Sequence, residues 1–207
     1  MTADEALARL IEGNWRFAAN RAIHPNTGEN RRLEVRDLQR PFAIILGCAD
    51  SRVPPEIVFD CGLGDLFVVR TAGHAVDKIV LASLQFGVVG IGVPLLVVLG
   101  HTRCGAVKTA LNAVCGEVRI EPAMQSLVEK VRPAVEKSQG QADDWLDSAV
   151  RMNVELTVRR LQRAKLLSQA IKQSGLRIVG AYYDLDTGVA EVICEAKQPG
   201  QNCSPGR

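Results

Sequence analysis

The 207-residue chain has almost no net charge: 25 Lys and Arg face 23 Asp and Glu, which leaves +2. That balance excludes a strong electrostatic pull toward nucleic acid. Lys and Arg do recur in 159–172, but apolar residues interleave them, as expected of the solvated face of a helix. No apolar run is long enough to span a bilayer; the longest, "VPLLVVLG" at 93–100, has the length of a buried strand. The start, "MTADEALARLIEGNW", lacks the positive n-region and apolar core of a secretory leader. Internal repeats and low-complexity stretches are also missing. These absences point to a cytoplasmic protein in a reducing compartment, with no membrane or nucleic-acid partner. Six cysteines there suggest metal binding or reactivity before disulfides. A composition of 47% hydrophobic residues suits one domain, 1–207, able to bury a core without covalent staples.

What is present alternates in type. Residues 2–20 read as an amphipathic helix, with Thr2 and Glu5 as a capping box and Leu7, Leu10, Ile11 and Trp15 on one face. Residues 24–37 are polar and turn-rich, so 1–35 forms a helix and an exposed arm. Apolar strands are expected at 41–47, 65–70 and 93–100, and short helices at 54–60, 76–89 and from 104 to 114. Each strand is almost uniformly apolar, which implies a mostly parallel α/β sheet covered on both sides. Residues 121–173 read as helical, with breaks near Pro133 and Gly140. "LRIVGAYYDLDTGVAEVICE" at 176–195 reads as an antiparallel hairpin turning at Asp186–Gly188, about the fifth strand of the sheet. Residues 196–207 read as a frayed tail.

Two stretches carry chemistry. In "ILGCADSRVPPE" (45–56), Cys48, Asp50 and Arg52 stand two apart where an apolar strand ends. In "VVLGHTRCGAV", His101 and Cys104 follow another strand end. Ligands of open parallel sheets sit beyond the carboxyl ends of the strands. If the two strands are neighbours, Cys48 meets His101 and Cys104 across 53 residues of sequence. Two thiolates and an imidazole suit zinc, and three protein ligands with a fourth position open to water mark a catalytic site. Asp50 is near enough in sequence to be the fourth ligand. Arg52 competes for it, since a guanidinium grips a carboxylate with two hydrogen bonds. Alternation along an extended segment places all three residues on one side. Taken singly, Cys48 reads as a small buried hydrophobe and H-x-x-C as a weak metal motif; together, at strand ends, they are far more specific.

"CADSRVPPE", "GDLFVVRTAGH" and "LGHTRCGAV" resemble the signature segments of β-class carbonic anhydrases, and the resemblance runs from the first helix through the final hairpin. It implies one Zn2+ per chain and reversible hydration of CO2 to bicarbonate by attack of zinc-bound hydroxide. It also implies assembly from dimers, as a homodimer or homotetramer. By this resemblance Cys48, His101 and Cys104 are the zinc ligands. Asp50 and Arg52 form the dyad that gates the fourth position, with Asp50 itself the fourth ligand in closed members. Gln39 reaches substrate, in many members across the dimer interface; the Gly105 N–H faces a substrate oxygen; Phe67 lines the CO2 pocket. The chain departs from the pattern at Cys61, where many members have Gln, and at His74, where many have Asn. His74 is a candidate proton shuttle, with a structural imidazole the favoured reading. Ile45 replaces the tryptophan of bicarbonate-regulated members, although Arg70 and a late tyrosine (Tyr182 or Tyr183) are present; an open site at neutral to alkaline pH is expected. Cys115, Cys194 and Cys203 match nothing functional. Rival readings keep the zinc and hydrolyse carbonyl sulfide or carbon disulfide, or make Cys48 a metal-free redox nucleophile, or let Asp50 close the zinc site permanently.

Overall fold

A computed structural model describes residues 1–196; the expected tail and Cys203 lie outside the described residues, apart from Ala196, whose N–H still bonds the Ile178 carbonyl. In chain order the elements are α1 (Ala3–Ala18), α2 (Glu29–Glu34), β1 (Ala43–Cys48), α3 (Pro55–Val58), β2 (Leu66–Thr71), α4 (Lys78–Gln85), β3 (Leu95–His101), α5 (Gly105–Val114), α6 (Pro122–Ser138), α7 (Trp145–Arg163), α8 (Lys165–Gln173), β4 (Arg177–Tyr183) and β5 (Ala190–Glu195). The strands form one sheet in the order β2-β1-β3-β4-β5, parallel except for the last pair. This is the expected mixed α/β sheet with an antiparallel hairpin at its edge. No helix among the described residues is long and apolar enough to cross a membrane.

Side-chain alternation divides the core into two layers. Ile44, Leu46, Leu96, Val98 and Ile178 point to one face, under Leu84, Val88, Val154, Val158 and Leu161. Ala43, Ile45, Leu95, Val97, Leu99 and Val179 point to the other, under Ala6, Leu10, Val58 and Phe59. Full burial of each Leu, Ile or Val stabilises the fold by about 1.5–3 kcal/mol. β1 and β3 are buried along their whole length. β2 is not: each of its residues is only half-buried, because it is the sheet's edge.

Several expectations need correction. The capping box of α1 is present, with Glu5 N–H donating to Thr2 Oγ1 at 3.2 Å and Thr2 N–H to Glu5 Oε2 at 2.7 Å. Its inward face, however, is Ala3, Ala6, Leu10, Gly13 and Asn14, while Ile11 and Trp15 are exposed. The cause is close approach: a β-carbon at Gly13 would lie 1.9 Å from the Phe59 carbonyl oxygen. The polar arm contains α2 and is tied to the core by two buried carboxylates. Asp60 accepts from Arg16 and from the Ile23 and His24 amides, and Asp65 from Arg9 and Asn26. The 76–89 helix is α4, capped by Asp77, and then widens into a π-turn at Phe86–Ile91. Pro133 does not break α6. The carbonyl it deprives of a partner belongs to Glu129, on an exposed face where water can replace the lost bond. The break at Gly140 is present, at φ +74°.

α7 crosses the carboxyl half of the sheet over two glycines. A β-carbon at Gly100 would come within 2.5 Å of Val154, and one at Gly180 within 2.5 Å of both Val154 and Cys194. Gly180→Ala is therefore expected to cost about 1–3 kcal/mol by overpacking, read as a lower urea midpoint; an unchanged midpoint would show that α7 can retreat freely.

Candidate metal centre

β1 and β3 are hydrogen-bonded neighbours, with Gly47 level with Leu99, so Cys48 and His101 leave the sheet at one edge. Cys104 follows as the residue capping α5. One donor atom from each of Cys48, His101 and Cys104 lies within 4.8 Å of the other two, and all three residues are buried. The two Sγ atoms are 3.9 Å apart. Tetrahedral zinc with Zn–S bonds near 2.3 Å requires about 3.8 Å. His101 Nδ1 lies 2.9 Å from the Thr102 carbonyl, so it carries the proton and Nε2 keeps a lone pair. That Nε2 is buried and has no hydrogen-bond partner. An unpaired buried nitrogen costs about 1–3 kcal/mol, and a cation between it and the sulfurs removes that cost. The donor set fits zinc.

Hydrogen bonding separates the two thiols electrostatically. The Cys104 thiol and the Gly73 N–H, 3.3 Å from Cys48 Sγ, favour the Cys48 thiolate and lower its pKa. Cys104 is pushed up by its bond to Cys48 and by burial.

Asp50 stands beside the cluster. Its Oδ2 is 3.9 Å from His101 Nε2. Arg52 holds both oxygens, Nε to Oδ1 at 2.9 Å and Nη2 to Oδ2 at 2.7 Å. That grip holds the Asp50 carboxyl well below the usual carboxylate range. The pairing does not come from strand alternation. The Arg52 N–H also donates to Asp50 Oδ1 at 3.0 Å and the Val53 N–H to the Asp50 carbonyl at 3.1 Å, so the dyad sits in a side-chain-capped turn after β1. Arg70 fastens that turn: Nε donates to the Cys48 carbonyl at 2.8 Å and Nη2 to the Asp50 carbonyl at 2.6 Å. This role was missed in the sequence, where Arg70 suggested only an effector site; its position at the end of "DLFVVR", beside β1, was the available signal. Tyr182, the other half of that suggestion, bonds Asp147 and lies under the Arg151 guanidinium at 3.9 Å.

Gly105 opens α5, and a β-carbon there would meet nothing within 4 Å. Gln39 lies on the exposed segment entering β1 and makes no hydrogen bond to another described residue. Phe67 pairs in register with Ile44, four residues before Cys48. It is thus about 13 Å down the sheet by strand rise, with its ring 6.3 Å from that of Phe86; it does not wall the centre of its own chain. His74 is 1% exposed. Burial pushes its pKa down to about 4, Nε2 accepts from Asn153 at 3.0 Å, and Nδ1 is buried without a partner. A neutral imidazole closed off from solvent is structural, not a shuttle. Cys61 is likewise buried, its thiol pushed up to about 12 by burial.

A family model described as carbonic anhydrase matches residues 43–190, which contain the cluster, the dyad and four of the five strands in full. The chain belongs to the β-class carbonic anhydrase family. It is 43% identical over 185 residues to a carbonic anhydrase of Mycolicibacterium smegmatis, covering 88% of this chain and 89% of that one. It is 44% identical over 182 residues to carbonic anhydrase 2 of Mycobacterium tuberculosis, covering 87% and 88%. Tetrameric β-carbonic anhydrases of Sordaria macrospora share the fold, with a TM-score of 0.76, 21% identity, and coverage of 93% of this chain and 100% of that one.

The geometry sets two expected outcomes. Metal analysis of the purified protein should give one zinc per chain, and His101→Asn should lower it severalfold at matched folding, read by circular dichroism. Between pH 6.5 and 4 the folded state holds fewer protons on His74 than the unfolded chain, so stability falls as pH drops through that window. His74→Asn should flatten the fall, seen by comparing denaturation midpoints of the two proteins at pH 7 and pH 5.

Proposed function

We propose that the chain hydrates CO2 reversibly with Cys48, His101 and Cys104 holding one zinc ion and the Asp50/Arg52 dyad controlling the fourth position. The observation that carries this is the free, buried lone pair of His101 Nε2 facing two sulfurs at zinc spacing, beside a carboxylate turned to Arg52. Zinc, when bound, supplies a Lewis acid that lowers the pKa of water, toward about 7 in favourable sites.

The chain's own groups then divide the work. Arg52 holds Asp50 away from the metal position. Asp50 is charged at every pH above its depressed value and accepts a hydrogen bond from the water-derived nucleophile, orienting it toward carbon. The pH dependence of activity near neutrality therefore does not come from titration of Asp50. The Gly105 N–H, at the positive end of the ten-residue α5, meets charge developing on a substrate oxygen. Gln39 and Phe67 lie away from their own chain's centre, and we assign them to the pocket of a second copy. Exposed Trp15, Ile79, Phe86 and Val89 offer apolar surface for that homodimer or homotetramer.

Stopped-flow CO2 hydration tests the activity, with carbonyl sulfide offered to the same preparation; turnover of the sulfide with negligible CO2 hydration would replace the substrate. Arg52→Ala should lower CO2 hydration about 10–100-fold, and full activity in that variant would defeat the gating role.

A further inference from the structure

We propose that Asn153, on α7, is a positioning residue for the metal centre: it fixes the turn that aims the Gly73 N–H at the Cys48 sulfur. The turn is unusual. Ala72–His74 is a short 3-10 segment in which both Gly73 (φ +58°) and His74 (φ +45°) take left-handed backbone. For His74 that conformation is disfavoured. A β-carbon at Gly73 would press the Ala106 methyl at 3.1 Å, so the turn is also seated against α5. Asn153 reaches it from the far side. Its side-chain amide donates one hydrogen to the Gly73 carbonyl at 3.0 Å and the other to His74 Nε2 at 3.0 Å. The residue is 5% exposed, so no water competes effectively for those hydrogens. The same peptide segment then sends the Gly73 N–H to Cys48 Sγ at 3.3 Å.

An N–H···S bond draws electron density from a thiolate and reduces its donation to the metal. Asn153 thus acts on Cys48 through one turn, touching neither metal ligand nor substrate. The inference rests on the reading of Cys48, His101 and Cys104 as a metal centre.

The test uses the full chain loaded with 113Cd. A through-bond correlation between cadmium and the Gly73 amide proton is expected in the unaltered protein. In Asn153→Asp, isosteric but unable to donate, that correlation should weaken or vanish. The thiolate-to-metal absorption of the cobalt-loaded variant should move to longer wavelength, and zinc should pass to a chelator about 10–100-fold faster, because a sulfur without that bond is more basic and is protonated off the ion more readily. Thr157→Val, one turn along the same helix, should leave all three readings unchanged. Cadmium bound without a Gly73 correlation overturns the inference, as does a folded, loaded Asn153→Asp with unaltered spectra. A chain that takes up no cadmium overturns the metal reading instead. If Asn153→Asp does not fold, Asn153→Ser carries the same expectations, and the unaltered protein's cadmium spectrum still decides whether the Gly73 bond exists.

Discussion

The parallel ladder between β1 and β3 is the constraint on which the centre depends. It places Gly47 level with Leu99, and that register alone delivers a sulfur and an imidazole to the same edge from widely separated points of sequence. A slip of one residue would turn every side chain of β1 to the opposite layer. The buried pattern of Ile44 and Leu46 on one side and Ala43 and Ile45 on the other forbids it. Packing of the hydrophobic layers therefore fixes the metal geometry, although none of those residues touches the cluster.

The second tier is made of backbone groups. Arg70 grips two carbonyls, Gly73 offers an amide to Cys48, the Thr102 carbonyl accepts a hydrogen bond from His101 Nδ1, and Arg52 closes a turn through the carboxylate it holds. The reactive side chains are oriented largely by main-chain atoms, which do not depend on rotamer choice.

Most of this was legible in the sequence where periodicity and strand-end chemistry speak directly. Uniformly apolar runs predict β1 and β3, and the residues just after them predict the ligand set. The antiparallel hairpin was readable from its turn residues. The remaining features were not, each for a physical reason. The inward face of α1 is set by the Phe59 carbonyl pressing on Gly13, a contact between residues 46 apart that leaves no periodic trace. Pro133 passes through α6 because its consequence falls on an exposed carbonyl. The Asp50–Arg52 turn mimics strand alternation, since both geometries bring residues two apart to the same side. The roles of Arg70 and Asn153 depend on carbonyl positions, which side-chain patterns do not encode.

The two interior carboxylates beneath the arm have a consequence of their own. Asp60 and Asp65 are each 3% exposed and draw Arg9, Arg16, Asn26 and the amides of residues 23 and 24 onto the body of the protein. The first two dozen residues are thus one half of an ionic joint whose other half lies inside. Shortening the chain from that end would strand the Asp60 anion in the interior and strip Arg9 from Asp65, which keeps only Asn26, the Gly62 N–H and Arg31, so the leading segment is no dispensable extension but a required counterpart of the sheet it covers.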